Sequence, residues 1–222
     1  MPVAIITGGS RGLGRALAVE LVARGWSVVA DARTAADLAA VPGVVGVPGD
    51  VTDPVHRRAL VDAAGALGGL DLLVNNASVL GPSPQPRLAA YPLDAVRAVY
   101  EVNVVAPLAM IQEALPLLRR RGGGIVNVTS DASVEAYDGW GGYGSSKAAL
   151  DHLSAVLAVE EPGVRVWAVD PGDMRTRMHQ EAFPGEDISD RPEPETVVPG
   201  LLALIGSDRP SGRVRVAEVA TP

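Results

Sequence analysis

A doubly wound α/β domain is the fold class that the sequence predicts, with a mainly parallel sheet of about seven strands and helices on both faces. Short apolar segments rich in β-branched residues alternate along the chain with longer segments of helical periodicity. Glycine-rich or polar turns follow the apolar segments, as in repeated βα units. The 222 residues are 47% hydrophobic and show no break in composition, so we expect residues 1–222 to form a single domain.

The first βα unit joins a predicted strand, 3–7, to a predicted helix, 15–24. The turn between them reads Gly8-Gly9-Ser10-Arg11-Gly12-Leu13-Gly14. Glycines allow the backbone to approach a pyrophosphate, whose charge is then met by the amides at the start of a helix. The spacing differs from the common dinucleotide fingerprint Gly-x-Gly-x-x-Gly, and a tight turn with nothing bound is the alternative.

The second predicted strand, 26–31, ends where an adenosine ribose would lie in such a sheet. An acidic side chain there accepts a hydrogen bond from a ribose 2′-hydroxyl, whereas an arginine matches a 2′-phosphate. The sequence offers both, as Asp31-Ala32-Arg33. Strand alternation places Asp31 and Ala32 on opposite faces, so the residue that faces the ribose decides the preference. Arg33, together with Arg11, favours NADP(H), and NAD(H) is the alternative.

The remaining segments continue the alternation and predict a parallel sheet of the Rossmann type, whose ligands bind at the carboxyl ends of the strands. Further strands are predicted at 43–47, 70–74, 124–129, 163–169 and 212–219. Further helices are predicted at 54–67, 93–120, 148–160 and 195–205. Asp53 and Pro54 suit the cap and first turn of the first of these helices. Pro107 and Pro116 are expected to bend or break the second.

Two side chains near the start of helix 148–160 form a chemically suggestive pair. Tyr143 and Lys147 are four residues apart and share a helix face. A nearby cation favours phenolate, so Lys147 should lower the pKa of Tyr143, which is about 10 in a free phenol. Such pairs also occur by chance on solvated helix faces. Asn103 lies in an apolar part of helix 93–120, where its amide must either bond backbone carbonyls or hold water.

Composition excludes several classes of function. A net charge of -7 argues against a nucleic-acid-binding surface. The chain has no cysteine and only three histidines, so we expect no disulfide and no metal site. The first residues lack the basic segment of a signal peptide, and no apolar run approaches the roughly 18 residues of a membrane span. A cytoplasmic protein without membrane contact is the expectation.

Together these motifs resemble the short-chain dehydrogenase/reductase family, from residue 7 to about residue 176 and more weakly to 219. The family's Thr-Gly-x-x-x-Gly-x-Gly turn maps to 7–14, its adenine-side Asp-Val pair to 50–51, and its Asn-Asn-Ala-Gly motif to 75–78, where Ser78 replaces the glycine. Its Pro-Gly motif maps to Pro171 and Gly172, with Thr176 expected near the nicotinamide carboxamide. The cofactor-binding residues expected in total are Thr7, Gly8, Ser10, Arg11, Gly12, Leu13, Gly14, Ala32, Arg33, Asp50, Val51, Asn76, Ala77, Ser78, Tyr143, Lys147, Pro171, Gly172, Met174 and Thr176.

The resemblance also implies a catalytic tetrad of Asn103, Ser130, Tyr143 and Lys147. Ser130 would bond the substrate oxygen, Tyr143 would exchange a proton with it, Lys147 would lower the pKa of Tyr143 and bond the nicotinamide ribose, and Asn103 would hold a water. The implied function is hydride transfer between NADP(H) and a small carbonyl or alcohol substrate. A redox-inactive NAD(P)-binding sensor or regulatory protein is the alternative.

Two further features concern the substrate side and the assembly. A short substrate lid is expected around 175–194, which suggests an open pocket or a small substrate. Tyr137 and Trp140 precede Tyr143 and suit either the wall of the substrate pocket or structural packing. By resemblance, the helices that contain Asn103 and Tyr143 should form the face of a homodimer.

Overall fold

The computed structural model describes residues 1–219, so the last three residues of the predicted domain, 220–222, lie outside the described part. Its centre is a seven-stranded sheet in which every pair of neighbouring strands is parallel. The strands are β1 (Val3–Ile6), β2 (Ser27–Ala32), β3 (Val45–Pro48), β4 (Leu72–Asn75), β5 (Gly124–Val128), β6 (Arg165–Asp170) and β7 (Gly212–Arg215). Their order across the sheet is β3-β2-β1-β4-β5-β6-β7, which confirms the predicted fold class.

Helices cover both faces of the sheet. They are α1 (Gly12–Ala23), α2 (Ala35–Ala39), α3 (Pro54–Ala66), α4 (Leu93–Tyr100), α5 (Ala106–Arg121), α6 (Gly141–Glu160), α7 (Arg177–Ala182) and α8 (Val198–Ile205). Successive residues of β1 enter opposite cores, because strand side chains alternate. Ala4 and Ile6 pack with α1 and α8 on one face, and Val3 and Ile5 pack with α3 and α5 on the other.

Local sequence explains where several helices begin. Asp53 caps α3 by accepting a hydrogen bond from the Val55 N–H at 2.9 Å, and Pro54 occupies its first turn, as predicted. Helix α6 begins seven residues earlier than 148, so Tyr143 and Lys147 both lie inside it. The short helices α2 and α7 were not predicted, although threonine caps open both of them.

The long helix predicted at 93–120 is continuous but contains one irregular turn. Residues Glu101–Val105 form a π-helical turn between α4 and α5. Pro107 lies in the first turn of α5, and Pro116 lies inside α5 without ending it. Of the expected bend or break, the break is therefore wrong, and the bend stays a prediction. A proline ring crowds the carbonyl four residues earlier, and the wider π turn ahead of Pro107 relieves that contact at Asn103.

The same helix, Leu93–Arg121, is long and apolar enough to cross a membrane by length and composition alone. In the fold, its buried side chains Met110, Ala114 and Leu118 pack in the core against the sheet.

Near the carboxyl end of the described residues, β7 is shorter than the predicted strand 212–219. A 3₁₀ turn, Val216–Glu218, follows it.

Candidate active site

The glycine turn lies between the carboxyl end of β1 and the start of α1. Gly8 and Gly12 adopt positive φ angles of 65° and 51°, which other residues rarely reach. A Cβ on Gly14 would lie 2.5 Å from both the Gly8 carbonyl oxygen and the Asn76 side-chain nitrogen. Within residues 1–219, no side chain caps the amino end of α1, so its first N–H groups remain available to an anion.

Side chains directly after β1 and β4 brace this turn. The Asn76 amide nitrogen donates to the carbonyl oxygens of Thr7 at 2.9 Å and Gly8 at 3.1 Å. The Thr7 hydroxyl accepts hydrogen bonds from the backbone N–H groups of Asn76 and Ala77, both at 3.0 Å. Thr7, Asn76 and Ala77 are therefore brought to the predicted site, where their polar atoms hold the turn in shape.

The carboxylate of Asp31 is used inside the protein. It is only 3% exposed, and it accepts hydrogen bonds from the Gly8 N–H at 2.5 Å and from His56 Nε2 at 3.0 Å. Each oxygen accepts one of these bonds and the carboxylate is buried, so Asp31 supports the glycine turn and is not an acceptor at the surface. Arg33 is exposed beside it. His56 was not predicted, and a lone histidine in a helix gave no signal for this role.

Asp50 lies near Arg33 at the carboxyl end of β3. The N–H and hydroxyl of Thr52 donate to Asp50 at 2.9 and 2.8 Å, and they lower the pKa of Asp50 below its usual value. The positive charge of Arg33 adds to this lowering. Arg11, the other predicted cation, forms an exposed ion pair of 3.0 Å with Asp37. Both arginines thus lie at the edge of the predicted cofactor site.

The remaining predicted cofactor residues fall into two groups. Leu13 and Val51 are buried, and Met174 packs against the core, so these side chains contribute apolar surface under the site. Thr176 caps α7 by accepting a hydrogen bond from the His179 N–H at 3.2 Å. Its methyl group lies 3.6 Å from where a Cβ on Gly12 would be, which brings the lid up to the glycine turn. Ser10, Ala32, Pro171 and Gly172 also lie in the loops or at the strand ends of this edge.

Tyr143 and Lys147 lie in the first two turns of α6, next to the segment after β5 that carries Ser130. The Lys147 ammonium donates to the Val128 carbonyl at 2.9 Å and lies 5.5 Å from the centre of the Tyr143 ring. Both residues are buried, with 7% and 2% of their surfaces exposed. Gly144 permits this packing, because a Cβ there would lie 2.6 Å from the Ala132 carbonyl oxygen.

The pKa of Tyr143 shifts opposite to the expectation. Burial raises it well above the value of a free phenol, and the negative charges of Asp131 and Asp170 raise it further, while the neighbouring hydroxyl groups of Ser130 and Ser78 act against the shift. Burial also lowers the pKa of Lys147 to about 8. The expectation that Lys147 lowers the pKa of Tyr143 was wrong for this form of the protein, because it neglected the burial of both groups.

Asn103 lies in the π turn and is fully buried. Its side-chain oxygen accepts hydrogen bonds from the Ser78 hydroxyl at 3.1 Å and the Val79 N–H at 2.9 Å. Its side-chain nitrogen donates to the Val79 carbonyl at 2.9 Å and the Ser146 hydroxyl at 3.0 Å. These four bonds satisfy the whole amide, so the side chain cannot also hold the predicted water. Its main-chain carbonyl lacks one usual helical donor, because Pro107 has no N–H.

Asp131 directly follows Ser130 and was not predicted as a site residue. Its Oδ1 accepts the Ser130 hydroxyl at 2.8 Å and the Ala132 N–H at 2.8 Å, and its Oδ2 accepts the Tyr137 hydroxyl at 2.9 Å. Despite its partial burial, the hydrogen bonds from Ser130 and Tyr137 hold the pKa of Asp131 below its usual value. An acidic residue next to the predicted catalytic serine was a visible signal.

The lid lies over Tyr143 and completes an aromatic cluster. Trp140 contacts the rings of Tyr137, Tyr143 and Phe183 with centroid separations of 6.1, 5.9 and 5.8 Å. Phe183, the only phenylalanine of the chain, follows α7, whose Met178 and Ala182 pack against the same cluster. The lid is therefore packed against this cluster in the structure, and the expectation of an open pocket or a small substrate stays a prediction. A short lid covers Tyr143 because its apolar residues meet Trp140.

Sequence and structure comparisons agree with this geometry. The family profile described as short chain dehydrogenase matches residues 2–187. The chain belongs to the short-chain dehydrogenase/reductase family. It is therefore an oxidoreductase of a family that binds NAD(P), and the glycine turn, the uncapped start of α1 and the exposed Arg33 fit such a dinucleotide.

Relatives in this family include enzymes that act on sugars. L-xylulose reductase from Bos taurus is 37% identical, over 94% of this chain and 90% of that protein. D-erythrulose reductase from Gallus gallus is 38% identical, over 79% of this chain and 72% of that protein. A short-chain dehydrogenase from Shigella flexneri, solved in complex with NADP, is 27% identical, with a TM-score of 0.89 over 96% of this chain and 95% of that one.

Proposed function

We propose that the protein transfers a hydride between NADP(H) and a small carbonyl or alcohol substrate, with Tyr143 as the general acid or base. The observation that carries the proposal is the convergence of Ser130, Tyr143 and Lys147 beside the glycine turn, with the lid packed against Tyr143. A sensor that only binds a dinucleotide would not require this convergence. A bound nicotinamide would supply the hydride, and the protein would hold and orient the reacting groups.

In this proposal, Tyr143 donates its proton to the carbonyl oxygen during reduction. The Tyr143 hydroxyl carries its proton at neutral pH and can therefore donate it, although the raised pKa makes it a weaker acid than a free phenol. Lys147 remains largely protonated at pH 7 and can bind the ribose of the dinucleotide through its free N–H groups. We further propose that the main-chain carbonyl of Asn103, rather than its saturated side chain, holds the water that returns the proton.

The cofactor preference that we propose is NADP(H) over NAD(H). Asp31 is engaged with Gly8 and His56, while the small Ala32 leaves space and the exposed Arg33 offers a cation for a 2′-phosphate. Replacing Arg33 by Ala should raise the dissociation constant for NADPH about tenfold or more, the loss of one charge-assisted contact, and leave that for NADH nearly unchanged. Arg209→Ala, at an exposed site in a distant loop, is the control. If Arg33→Ala weakens the binding of NADPH and NADH equally, Arg33 does not contact the 2′-phosphate.

The test of the catalytic role is Tyr143→Phe, which removes the hydroxyl and keeps the ring. We expect kcat for ketone or aldehyde reduction to fall about 10²-fold to 10⁴-fold, with NADPH affinity retained. The same change at Tyr100 in α4 is the matched control. Near-normal turnover by Tyr143→Phe would exclude this mechanism.

We also propose a homodimer formed by the face of α5 and α6. The exposed apolar residues Val156 and Val159 lie on α6, and Val105 ends the π turn directly before α5, where a second copy could cover them. Sedimentation at micromolar concentration should give twice the mass of the chain, 22.9 kDa. A double variant with Val156→Glu and Val159→Glu should sediment as a monomer. A monomeric parent protein would contradict this proposal.

A further inference from the structure

Asp131 places a carboxylate at the substrate side of the proposed active site. It accepts the single hydroxyl proton of Ser130 at 2.8 Å. While this bond persists, the Ser130 oxygen can accept a hydrogen bond but has no proton to donate. A substrate carbonyl oxygen, however, needs a donor. The bond from Ser130 to Asp131 therefore competes with the one that Ser130 would make to a carbonyl substrate.

The same carboxylate faces the aromatic wall of the site. Tyr137 donates its hydroxyl to Asp131 at 2.9 Å, and its ring contacts Trp140. The pKa of Tyr137 is raised first by this hydrogen bond, and the charges of Asp131, Glu135 and Asp173 also contribute. Arg215 is a cation close enough to lower the pKa of Asp131. Asp131 is thus the carboxylate bonded directly to the aromatic wall, whereas Asp173 is paired with Arg191 at 3.7 Å.

A carboxylate beside aromatic faces favours ligands that donate hydrogen bonds, cations above all, and disfavours anions. A donor on the substrate could replace Ser130 as the partner of Asp131. The Ser130 hydroxyl would then be free to turn toward the carbonyl oxygen. A substrate without a donor gains nothing from Asp131, and an anionic substrate is repelled by it.

We propose that Asp131 selects carbonyl substrates that carry a hydrogen-bond donor on the carbon next to the carbonyl, an ammonium group most strongly, and rejects those with a carboxylate there. This inference rests on the proposed carbonyl reductase function. Asp131 acts here as a specificity residue, through its charge and through its bond to Ser130. An amine and a hydroxyl group on the substrate can both supply this hydrogen-bond donor.

The test uses four phenyl ketones that differ only at the carbon next to the carbonyl. They are α-aminoacetophenone, α-hydroxyacetophenone, acetophenone and benzoylacetate, and the phenyl group suits the wall formed by Trp140 and Phe183. We expect kcat/KM with NADPH to decrease in that order. Acetophenone should be at least tenfold poorer than the ammonium compound, and benzoylacetate should be poorer again by a similar factor.

Asp131→Asn removes the charge and keeps an acceptor oxygen, so it separates charge from hydrogen bonding. It should bring the ammonium compound to within about threefold of the hydroxyl compound, because the remaining amide oxygen still accepts from either. Asp208→Asn is the matched control, because it changes the net charge by the same amount in the loop before β7, at the opposite end of the sheet. This variant should keep the parental order of kcat/KM for the four ketones.

The outcomes are distinguishable. A parental enzyme that reduces the four ketones at similar kcat/KM, or prefers benzoylacetate, would overturn the inference and leave the reductase function intact. Retention of the ammonium preference by Asp131→Asn would likewise overturn the role of this carboxylate. Failure to reduce any of the four ketones with NADPH or NADH would overturn the proposed function, and the inference with it.

Discussion

Replacing Lys147 with methionine should make the protein more stable at neutral pH while removing its activity. Lys147 is the only lysine in the chain and is almost fully buried. Burial lowers its pKa from 10.5 to about 8, so folding disfavours the ammonium form. This shift corresponds to a cost of about 3 kcal/mol at pH 7, because each unit of pKa equals about 1.4 kcal/mol.

Methionine has a similar length and no charge, so it removes this cost. It also removes the hydrogen bond to the Val128 carbonyl, a loss of about 1 kcal/mol. The expected net gain in the free energy of unfolding is about 2 kcal/mol at pH 7. Since the pKa is lowered on folding, the cost is fully present below pH 8 and disappears as the pH rises toward 10.5. At pH 9.5 the gain should have shrunk to about 0.5 kcal/mol.

Urea unfolding of both proteins at pH 7 and pH 9.5, without nucleotide, measures this difference. Because the chain has a single lysine, lysine labelled with ¹³C at the ε-carbon gives one NMR signal whose titration reports the pKa of Lys147 directly. A titration midpoint near 10.5, together with a variant that is less stable than the parent at both pH values, would refute the reasoning.

Three further predictions concern Lys147, Asn103 and Gly14. The kcat/KM for carbonyl reduction should be constant below pH 8 and fall above it, because the Lys147 ammonium is lost with a pKa of about 8. Lys147→Arg should move this fall to higher pH. A parental profile that stays constant up to pH 10 would contradict the role of the Lys147 ammonium. Asn103→Ala should lower the free energy of unfolding by about 3 kcal/mol in urea titrations, because it leaves buried partners of four hydrogen bonds unpaired, and a change below about 1 kcal/mol would contradict that. Gly14→Ala should lower the melting temperature and weaken NADPH binding, because the added Cβ has no room. Gly65→Ala in α3 is the control: its Cβ would have no atom within 4 Å, so it should stabilise the protein by up to about 1 kcal/mol. Similar melting curves for the two variants would refute the steric argument.

Much of the fold was predictable because its signals are local. Strand and helix periods lie within short windows, and the glycine turn is a contiguous motif, so the parallel sheet and the position of its site followed from the order of the segments. The structure brings Ser130, Tyr143 and Lys147 together as that order implies. Two signals visible in the sequence were missed, namely the single lysine and the acidic residue after Ser130.

Contacts between distant segments were not predictable in the same way. The sequence allows Asp31 to be a ribose ligand, but in the fold its carboxylate bonds to Gly8 and His56. Each of these bonds joins residues more than twenty positions apart in the sequence. The lid looked short and open because its few apolar residues are scattered in sequence. Phe183 and Met178 meet Trp140 only after the chain returns over the sheet edge.

The sequence by itself thus determined the α/β sheet, the family and the identity of the groups that converge on its carboxyl edge. The tertiary structure alone decided the electrostatics of those groups. Spacing shows that Lys147 can lie on the same helix face as Tyr143, but a pKa depends on burial and on every charge nearby. Here the burial of both residues, with Asp131 and Asp170 close to Tyr143, reverses the shift that the pair alone would predict.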